Sequence, residues 1–138
     1  MKKLLLITLL LIGTYGENLA QEGNKLIVKV SKIASAEGTI RVAVFNSKEN
    51  FLKTAIAKKV KDAGEGEMVF EFDGLKDGDY AVGVIHDINL NGILDKNFIG
   101  IPSEPYGISK DGKSNFGPPD YEDALFRLEK DITLSISL

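Results

Sequence analysis

The most chemically specific part of the sequence is a segment with regularly spaced oxygen-bearing side chains. Asp87, Asn89, Asn91 and Asp95 stand at its positions one, three, five and nine, with glycine at position six and an apolar residue at position eight. This spacing reproduces most of an EF-hand calcium loop, where side-chain oxygens converge on the ion and the glycine makes a sharp turn. The backbone carbonyl of Ile93, at position seven, is a further candidate ligand. The sequence therefore predicts a calcium site.

One ligand of the EF-hand pattern is missing from this segment. Position twelve, where the pattern has a bidentate glutamate, is Phe98, and Glu104 is the candidate replacement. With only two carboxylates in the segment, the predicted affinity is weak, at about 10⁻⁴ to 10⁻³ M, as in extracellular modules. The alternative is that these Asn and Asp side chains only bond to their own backbone, as in other Asx-rich turns. Both interpretations stay open at this point.

Catalytic chemistry finds little support in the sequence. His86 is the only histidine, and strand alternation places it with Val82 and Val84, on the opposite face from Asp87. It is either a partly buried structural residue or a binding residue. A histidine-based nucleophilic site has no candidate partner here, a zinc site with several imidazoles is impossible, and no Gly-x-Ser-x-Gly motif occurs. We predict a noncatalytic protein, with acid–base chemistry by Asp87 and Glu104 as the third alternative.

Nucleotides and nucleic acids are excluded as ligands by pattern and charge. Residues 107–114 match the phosphate-binding P-loop pattern, but that motif opens a helix, whereas Asn-Phe-Gly-Pro-Pro follows here. No helix can start on that sequence. The formal net charge is −3, and no basic stripe interleaved with aromatic residues is present. We therefore predict no nucleic-acid partner.

The first 20 residues have the composition of a secretory signal peptide. Two lysines precede a nearly unbroken apolar run over residues 4–12. The run is too short to span a bilayer, which needs about 20 residues, so no stable membrane insertion is expected. We predict cleavage after Ala20, with a cut after Gly16 as the alternative. The protein is then exported to the periplasm or out of the cell.

The predicted mature domain, residues 21–138, is a single unit without cysteine. Its formal net charge becomes −4 because two lysines and one glutamate leave with the signal peptide. The lack of cysteine excludes disulfides and a lipid-anchored form. A chain of this length is long enough to bury a working core, which must stabilise the domain by itself.

Alternation of apolar and polar side chains dominates the mature domain. A shorter strand is predicted over 124–128, and residues 58–61 form either an edge strand protected by lysines or a solvated loop. A serine at position 47 predicts a single capped helical turn over 47–52. The fold class predicted is all-β, an antiparallel sandwich of about seven strands, with a small barrel as the alternative. The clearest strands, each with one apolar face, are 26–31, 39–44, 68–72, 80–85 and 132–138.

One long loop is predicted over residues 96–123, where no strand or helix is evident. Its aromatic and proline content indicates an ordered lid packed on the sandwich. The lid either covers an open end of the core or forms a recognition surface in which Tyr106 and Tyr121 supply contacts. The aromatic residues of this segment are Phe98, Tyr106, Phe116 and Tyr121.

The sequence also resembles two known families. In residues 70–82, a phenylalanine strand, Gly-Leu, an Asp-Gly turn and Tyr-Ala-Val resemble a hairpin of transthyretin-like and carboxypeptidase-regulatory-like sandwich domains. That resemblance implies an immunoglobulin- or transthyretin-like fold and no activity.

The second resemblance covers nearly the whole mature chain. Three segments resemble a bacterial family, domain of unknown function 2141. They are Phe-Asn-Ser at 45–47, His-Asp-x-Asn-x-Asn-Gly-x-Leu-Asp at 86–95 and Gly-Ile-Pro-x-Glu-Pro-Tyr-Gly at 100–107. The resemblance implies no activity. It implies that the 86–95 segment and the Pro-Glu-Pro-Tyr segment form one surface, with residues 117–119 and 121–124 nearby.

Two functions follow from these observations. The first is a noncatalytic exported sandwich in which calcium, bound between Asp87 and Asp95, orders the 96–123 loop as a recognition surface. The second is a metal-independent module of the cell envelope that binds a small ligand or a protein partner near Tyr106 and Tyr121. Oligomeric state is not predicted.

Overall fold

A computed structural model describes residues 22–112 and 119–138. Within these ranges the chain forms two packed β-sheets, which confirms the predicted all-β sandwich. The predicted signal peptide and Phe116 lie outside the described residues. The strands are β1 (Asn24–Ile33), β2 (Thr39–Phe45), β3 (Ala57–Asp62), β4 (Gly66–Leu75), β5 (Gly78–Asp87), β6 (Tyr106–Ile108), β7 (Phe126–Leu128) and β8 (Ile132–Ser137), with a 3₁₀ turn at Ser109–Asp111 and one helix, α1 (Tyr121–Ala124).

The two sheets differ in size and in strand direction. The smaller has the order β4-β1-β8 and the larger β3-β2-β5-β6, with β7 also paired to β5. The lysine-rich segment is the edge strand β3, as one of its two interpretations predicted. The C-terminal strand β8 completes a sheet as expected but runs parallel to β1, so the sandwich is not antiparallel throughout. Within the described ranges, no helix is long and apolar enough to cross a membrane.

The Asp-Gly turn between β4 and β5 is a crossing between sheets. The sequence resemblance suggested a hairpin here, and that detail is wrong, because β4 pairs with β1 and β5 pairs with β2. Only Lys76 and Asp77 separate the two strands, and Asn24 donates a side-chain hydrogen bond of 2.8 Å to Asp77. The short connection lets consecutive strands face each other across the core, where both bury their aromatic and branched side chains.

The inner faces of the two sheets form the main core. Alternate residues of β1, β2, β4 and β5 are buried there, as the period of two predicts. Burial of these side chains is the main stabilising term of a domain without disulfides. The fully buried members of this core include Leu26, Val28, Val30, Ile40, Val42, Val44, Phe70, Val82 and Leu128.

The outer face of the larger sheet is also covered, over part of its area. A second apolar cluster joins β2 and β5 to the capped turn near residue 50 and to α1. The turn forms as predicted, with Asn50 N–H donating to Ser47 Oγ at 3.3 Å. Ser109 fixes the covering segment, because its buried hydroxyl accepts from Val82 N–H at 3.0 Å and donates to the Ala124 carbonyl at 2.6 Å. Strand β5 is therefore buried on both faces.

The long loop is shorter than predicted. Among the described residues, 96–123 contain β6, the 3₁₀ turn and the start of α1, and residues 88–105 connect β5 to β6 without a helix or strand. The sequence pattern missed β6 because it has three residues, too few to show alternation. The lid interpretation is wrong for Phe98, whose side chain is 99% exposed. Tyr106 and Tyr121 do pack on the sandwich.

Candidate metal-binding loop

The candidate site lies where the larger sheet ends. Strand β5 terminates at Asp87, and the chain returns to the same sheet as β6 at Tyr106. The ladder continues past β6, since His86 N–H donates to the Pro105 carbonyl at 2.9 Å. The register that pairs Ile85 with Tyr106, continued by two residues, sets Glu104 opposite Asp87 on one face of the sheet. Two carboxylates of the predicted site thus belong to neighbouring strand ends.

Residues 87–95, called the Asx loop below, turn around the Asp87 carboxylate. That side chain is buried, and its two oxygens accept hydrogen bonds from Asn91 N–H at 3.1 Å and Gly92 N–H at 2.8 Å. Gly92 has a φ of +80°, which a residue with a side chain rarely adopts. The sharp turn predicted at the glycine is therefore present, and Asp87 holds it from inside.

Three of the predicted ligand side chains come together at the surface of the Asx loop. The Asp95 carboxylate accepts hydrogen bonds from the Asn89 amide at 2.5 Å and the Asn91 amide at 2.7 Å. The amide oxygens of the two asparagines accept from the backbone two residues further on, Asn89 from Asn91 N–H and Asn91 from Ile93 N–H. The three side chains therefore converge, as a metal site requires. They also form Asx turns with their own backbone, as the interpretation without a metal requires.

Glu104 lies beneath the Asx loop as a backbone acceptor. Its buried carboxylate accepts from Ile88 N–H at 3.0 Å and from Asp95 N–H at 3.2 Å. It therefore bonds to the second and the last residue of the Asx loop. Hydrogen bonds to a carboxylate are about twice as strong as neutral ones, so Glu104 fixes the spacing of the loop ends.

The chain beyond the Asx loop forms a narrow projection, residues 95–103, called the finger below. Ser103 N–H donates to the Asp95 carbonyl at 2.8 Å, and Lys96 and Pro102 form an isolated antiparallel bridge. Asp95 thus belongs to both structures. Its side chain contacts the asparagines of the Asx loop, while its backbone closes the base of the finger.

Arg41 supplies the positive charge nearest to the buried carboxylate. Its Nη1 lies 3.7 Å from Asp87 Oδ2, and the arginine side chain is 34% exposed. Thr39, opposite Asp87 in the ladder, has a buried hydroxyl with no hydrogen-bond partner among the described residues. Neither residue was predicted from the sequence. Their positions in the sequence could have identified them. Thr39 and Arg41 are the polar residues that alternate with the apolar ones along β2, and they lie on the same face of the sheet as Asp87.

The donor set is rich in amides and poor in carboxylates. Among residues 22–112 and 119–138, no three His, Asp or Glu side chains cluster as a metal-binding group. Only Asp95 of the predicted carboxylates joins the two asparagine amides. Phe98, at position twelve of the EF-hand pattern, points to solvent, and the coordination predicted for the Ile93 carbonyl stays a prediction. Such a set fits at most a weak oxygen-ligand site.

His86 faces the opposite side of the sheet from the Asx loop. The side chain is almost fully buried, and its Nε2 lies 2.7 Å from the Glu37 carbonyl. A ring enclosed by the core offers no surface to a ligand. The structural role proposed from strand alternation therefore fits its position, and the binding role does not.

Tyr106 and Tyr121 both pack against the outer cluster of the larger sheet. The ring of Tyr121 makes an edge contact with Phe51, with centroids 5.5 Å apart, and its hydroxyl donates to the Asp79 carbonyl at 3.4 Å. Burial, with a smaller contribution from the carboxylates of Asp79 and Glu122, raises the pKa of Tyr121 above its usual value. The phenol is therefore protonated at neutral pH and remains a donor.

A comparison with protein families gives one match. The model of the family described as an uncharacterised protein conserved in bacteria, DUF2141, matches residues 28–135. This range includes the Asx loop, the finger and all of both sheets except the first residues of β1 and the last of β8. No curated protein and no solved structure matches the chain significantly.

Proposed function

The chain belongs to the DUF2141 family, and we propose that its Asx loop binds a calcium ion that orders the finger. The observation that carries this proposal is the convergence of Asn89, Asn91 and Asp95 around a turn held by Asp87. Carboxylate and amide oxygens are the ligands that calcium prefers. A bound cation would favour rotation of each asparagine amide about its last bond, which turns the amide oxygen toward Asp95 and gives up the hydrogen bond that this oxygen accepts from the backbone in the loop without the ion.

The finger is the element whose order would depend on the ion. Asp95 joins the Asx loop and the finger base, so a cation on its side chain also restrains the backbone that pairs with Ser103. The affinity expected is weak, about 10⁻⁴ to 10⁻³ M, because few carboxylates take part. The proposal includes export, since that affinity suits compartments with millimolar calcium. It describes a noncatalytic role.

The test is thermal unfolding of the purified protein in chelator and across a calcium titration, with magnesium as the control. Calcium at ten times its dissociation constant raises the free energy of unfolding by about 1.4 kcal/mol, which is about 5–8 °C for a domain of this size. Magnesium should shift the midpoint much less, because it demands a tighter octahedral site. No shift up to about 10 mM calcium, ten times the weakest dissociation constant expected, would refute the site.

Asp95→Asn separates a metal site from a network of Asx turns. The variant keeps shape and a hydrogen-bonding side chain but loses the only carboxylate of the converging trio. We expect it to abolish most of the calcium-dependent shift while changing stability in chelator by less than about 1 kcal/mol. Asp73→Asn is the matched control, since Asp73 is an exposed carboxylate on β4 in the other sheet. An equal loss with and without calcium would contradict the metal site.

Arg41 supports a second candidate function. Its guanidinium already neutralises part of the charge on Asp87, and both Asp87 oxygens have backbone donors. A loop whose carboxylate already has these partners can keep its shape without a metal ion. The second function is then a metal-independent module that binds a small ligand or an envelope protein near Tyr106 and Tyr121. The Asp95→Asn experiment discriminates the two functions.

The predicted signal peptide can be tested from the N-terminus of the mature protein. The lysine-led apolar run predicts that the protein recovered from its native host begins at Gln21. N-terminal sequencing or intact mass measures this directly. A start at Glu17 would identify the alternative cleavage site after Gly16. Recovery of an uncut chain would contradict the signal-peptide prediction.

A further inference from the structure

Exposed apolar side chains are concentrated in one segment of the molecule. Among the described residues, every large hydrophobic side chain that is more than half exposed lies within residues 90–101. Concentration of this kind marks an interaction surface, whereas isolated exposed apolar residues are normal. The members are Leu90, Ile93, Phe98, Ile99 and Ile101, of which the last three occupy the tip of the finger.

The backbone of the finger tip is bonded within itself. Asn97 N–H donates to the Ile101 carbonyl at 2.8 Å, and Gly100 N–H donates to the Asn97 carbonyl at 3.0 Å. The Asn97 side-chain oxygen accepts from Ile99 N–H at 3.1 Å and Ile101 N–H at 3.0 Å. Four backbone N–H groups of the tip, those of residues 97 and 99–101, are therefore bonded within it, which lowers the cost of moving them out of water.

The size and charge of the tip favour a lipid surface over a protein partner. Three side chains offer far less than the ~800 Å² per partner that a standard protein interface buries. Its three apolar side chains are more than half exposed, so none of them lies at the bottom of a pocket. Lys96, exposed at the start of the tip, places a positive charge next to the apolar side chains. A lysine in that position can extend its ammonium group to lipid phosphates while its stem stays in apolar surroundings.

We infer that the finger tip inserts into the interfacial layer of a phospholipid bilayer. Phe98, Ile99 and Ile101 enter the boundary between headgroups and acyl chains, and Lys96 lies at the phosphates. Insertion of one small tip gives weak and reversible attachment. The inference rests on the tip alone and does not depend on calcium at the Asx loop.

The absence of tryptophan from the chain permits a direct test. Phe98→Trp and Ile101→Trp each place a single reporter on the tip, and Val60→Trp, at an exposed apolar position on the edge strand β3, is the matched control. The purified proteins are mixed with phosphatidylcholine vesicles, with or without phosphatidylglycerol. The readouts are the emission maximum and quenching by brominated lipid, which report only the surroundings of the reporter.

We expect both tip reporters to shift to shorter wavelength and to be quenched by brominated lipid, more strongly with phosphatidylglycerol, while the control is unchanged. Adding Ile99→Ser to the Phe98→Trp variant should weaken partition about tenfold. Unchanged tip emission with both vesicles overturns the inference. A shift that needs no vesicles and grows with protein concentration overturns it in favour of a second copy of the chain.

Repeating the titration in chelator and in millimolar calcium separates this inference from the proposed calcium site. Quenching of the tip reporters in chelator supports insertion even if the thermal shift with calcium is absent. Quenching only in calcium also supports insertion and makes it calcium-dependent. Absence of quenching under both conditions overturns insertion, whatever the thermal measurement gives.

Discussion

Replacing Gly38 with alanine is expected to lower the free energy of unfolding by about 3 kcal/mol or more and the unfolding midpoint by over about 10 °C. Gly38 has a φ of +71°, and a Cβ atom there would lie 2.1 Å from the Asp87 carbonyl oxygen and 2.6 Å from Ile88 Cα. Both neighbours are backbone, so the clash cannot be relieved by rotating a side chain. The end of β5 and the start of the Asx loop must move instead.

Gly66→Ala is the matched control for this prediction. Gly66 has a φ of +91°, but nothing lies within 4 Å of the position its Cβ would take. Its substitution therefore measures the backbone strain alone, about 1–2 kcal/mol. Urea unfolding of both variants gives the difference, which is the cost of displacing the β5 terminus. Equal losses in the two variants would show that the contact of Gly38 with Asp87 and Ile88 is unimportant.

The strand positions were predictable because alternation is a local property. Strands such as β2 and β8 each bury one face more deeply than the other, and a period of two reveals this without knowledge of the partner strand. Pairing is a nonlocal property. The parallel alignment of β8 with β1 and the crossing between β4 and β5 depend on how the sheets pack, and alternation is the same for either direction.

Strand β6 was missed for a related reason. Its three residues follow Pro105, which has no N–H to donate to the ladder, and its only long apolar side chain faces the outer cluster. Strand β6 pairs with β5, and Gly107 also permits its close approach to β8 of the other sheet. A Cβ atom there would lie 2.5 Å from Ile136 Cγ2. That contact joins residues 29 positions apart, so the local pattern of apolar and polar residues cannot reveal it.

The candidate site was predictable in its residues and less so in their roles. The spacing of Asp87, Asn89, Asn91 and Asp95 predicts a turn in which all four side chains converge; the turn is present, and all but Asp87 meet at its surface. It treats the four as equivalent, although Asp87 is buried under the turn and Asp95 lies at its surface. The difference comes from Arg41 and Glu104, which approach from neighbouring strands. Sequence spacing therefore predicts that side chains meet in the turn. The tertiary fold decides which carboxylate supports the turn from below and which lies at its surface.

Because Asp87 supports the turn from its buried side, Asp87→Asn is expected to cause the second large loss of stability. The buried carboxylate accepts from two backbone N–H groups and lies near Arg41. An asparagine has one oxygen, so its NH₂ group must face one of the two N–H donors, and the charge that attracts Arg41 is lost. We expect a loss of about 2–4 kcal/mol in the free energy of unfolding, measured with urea.

The loss from Asp87→Asn should be nearly the same in chelator and in calcium, because the donors around Asp87 belong to the protein. Asp95→Asn should instead change stability by less than about 1 kcal/mol in chelator and lose most of the stabilisation that calcium gives. Arg41→Met, which removes the charge and keeps the apolar stem, should cost about 1 kcal/mol or less, since the guanidinium is partly exposed. If Asp87→Asn unfolded like the wild type in chelator, the carboxylate would not support the turn, and the Asx loop would owe its shape to its asparagines and Gly92 alone.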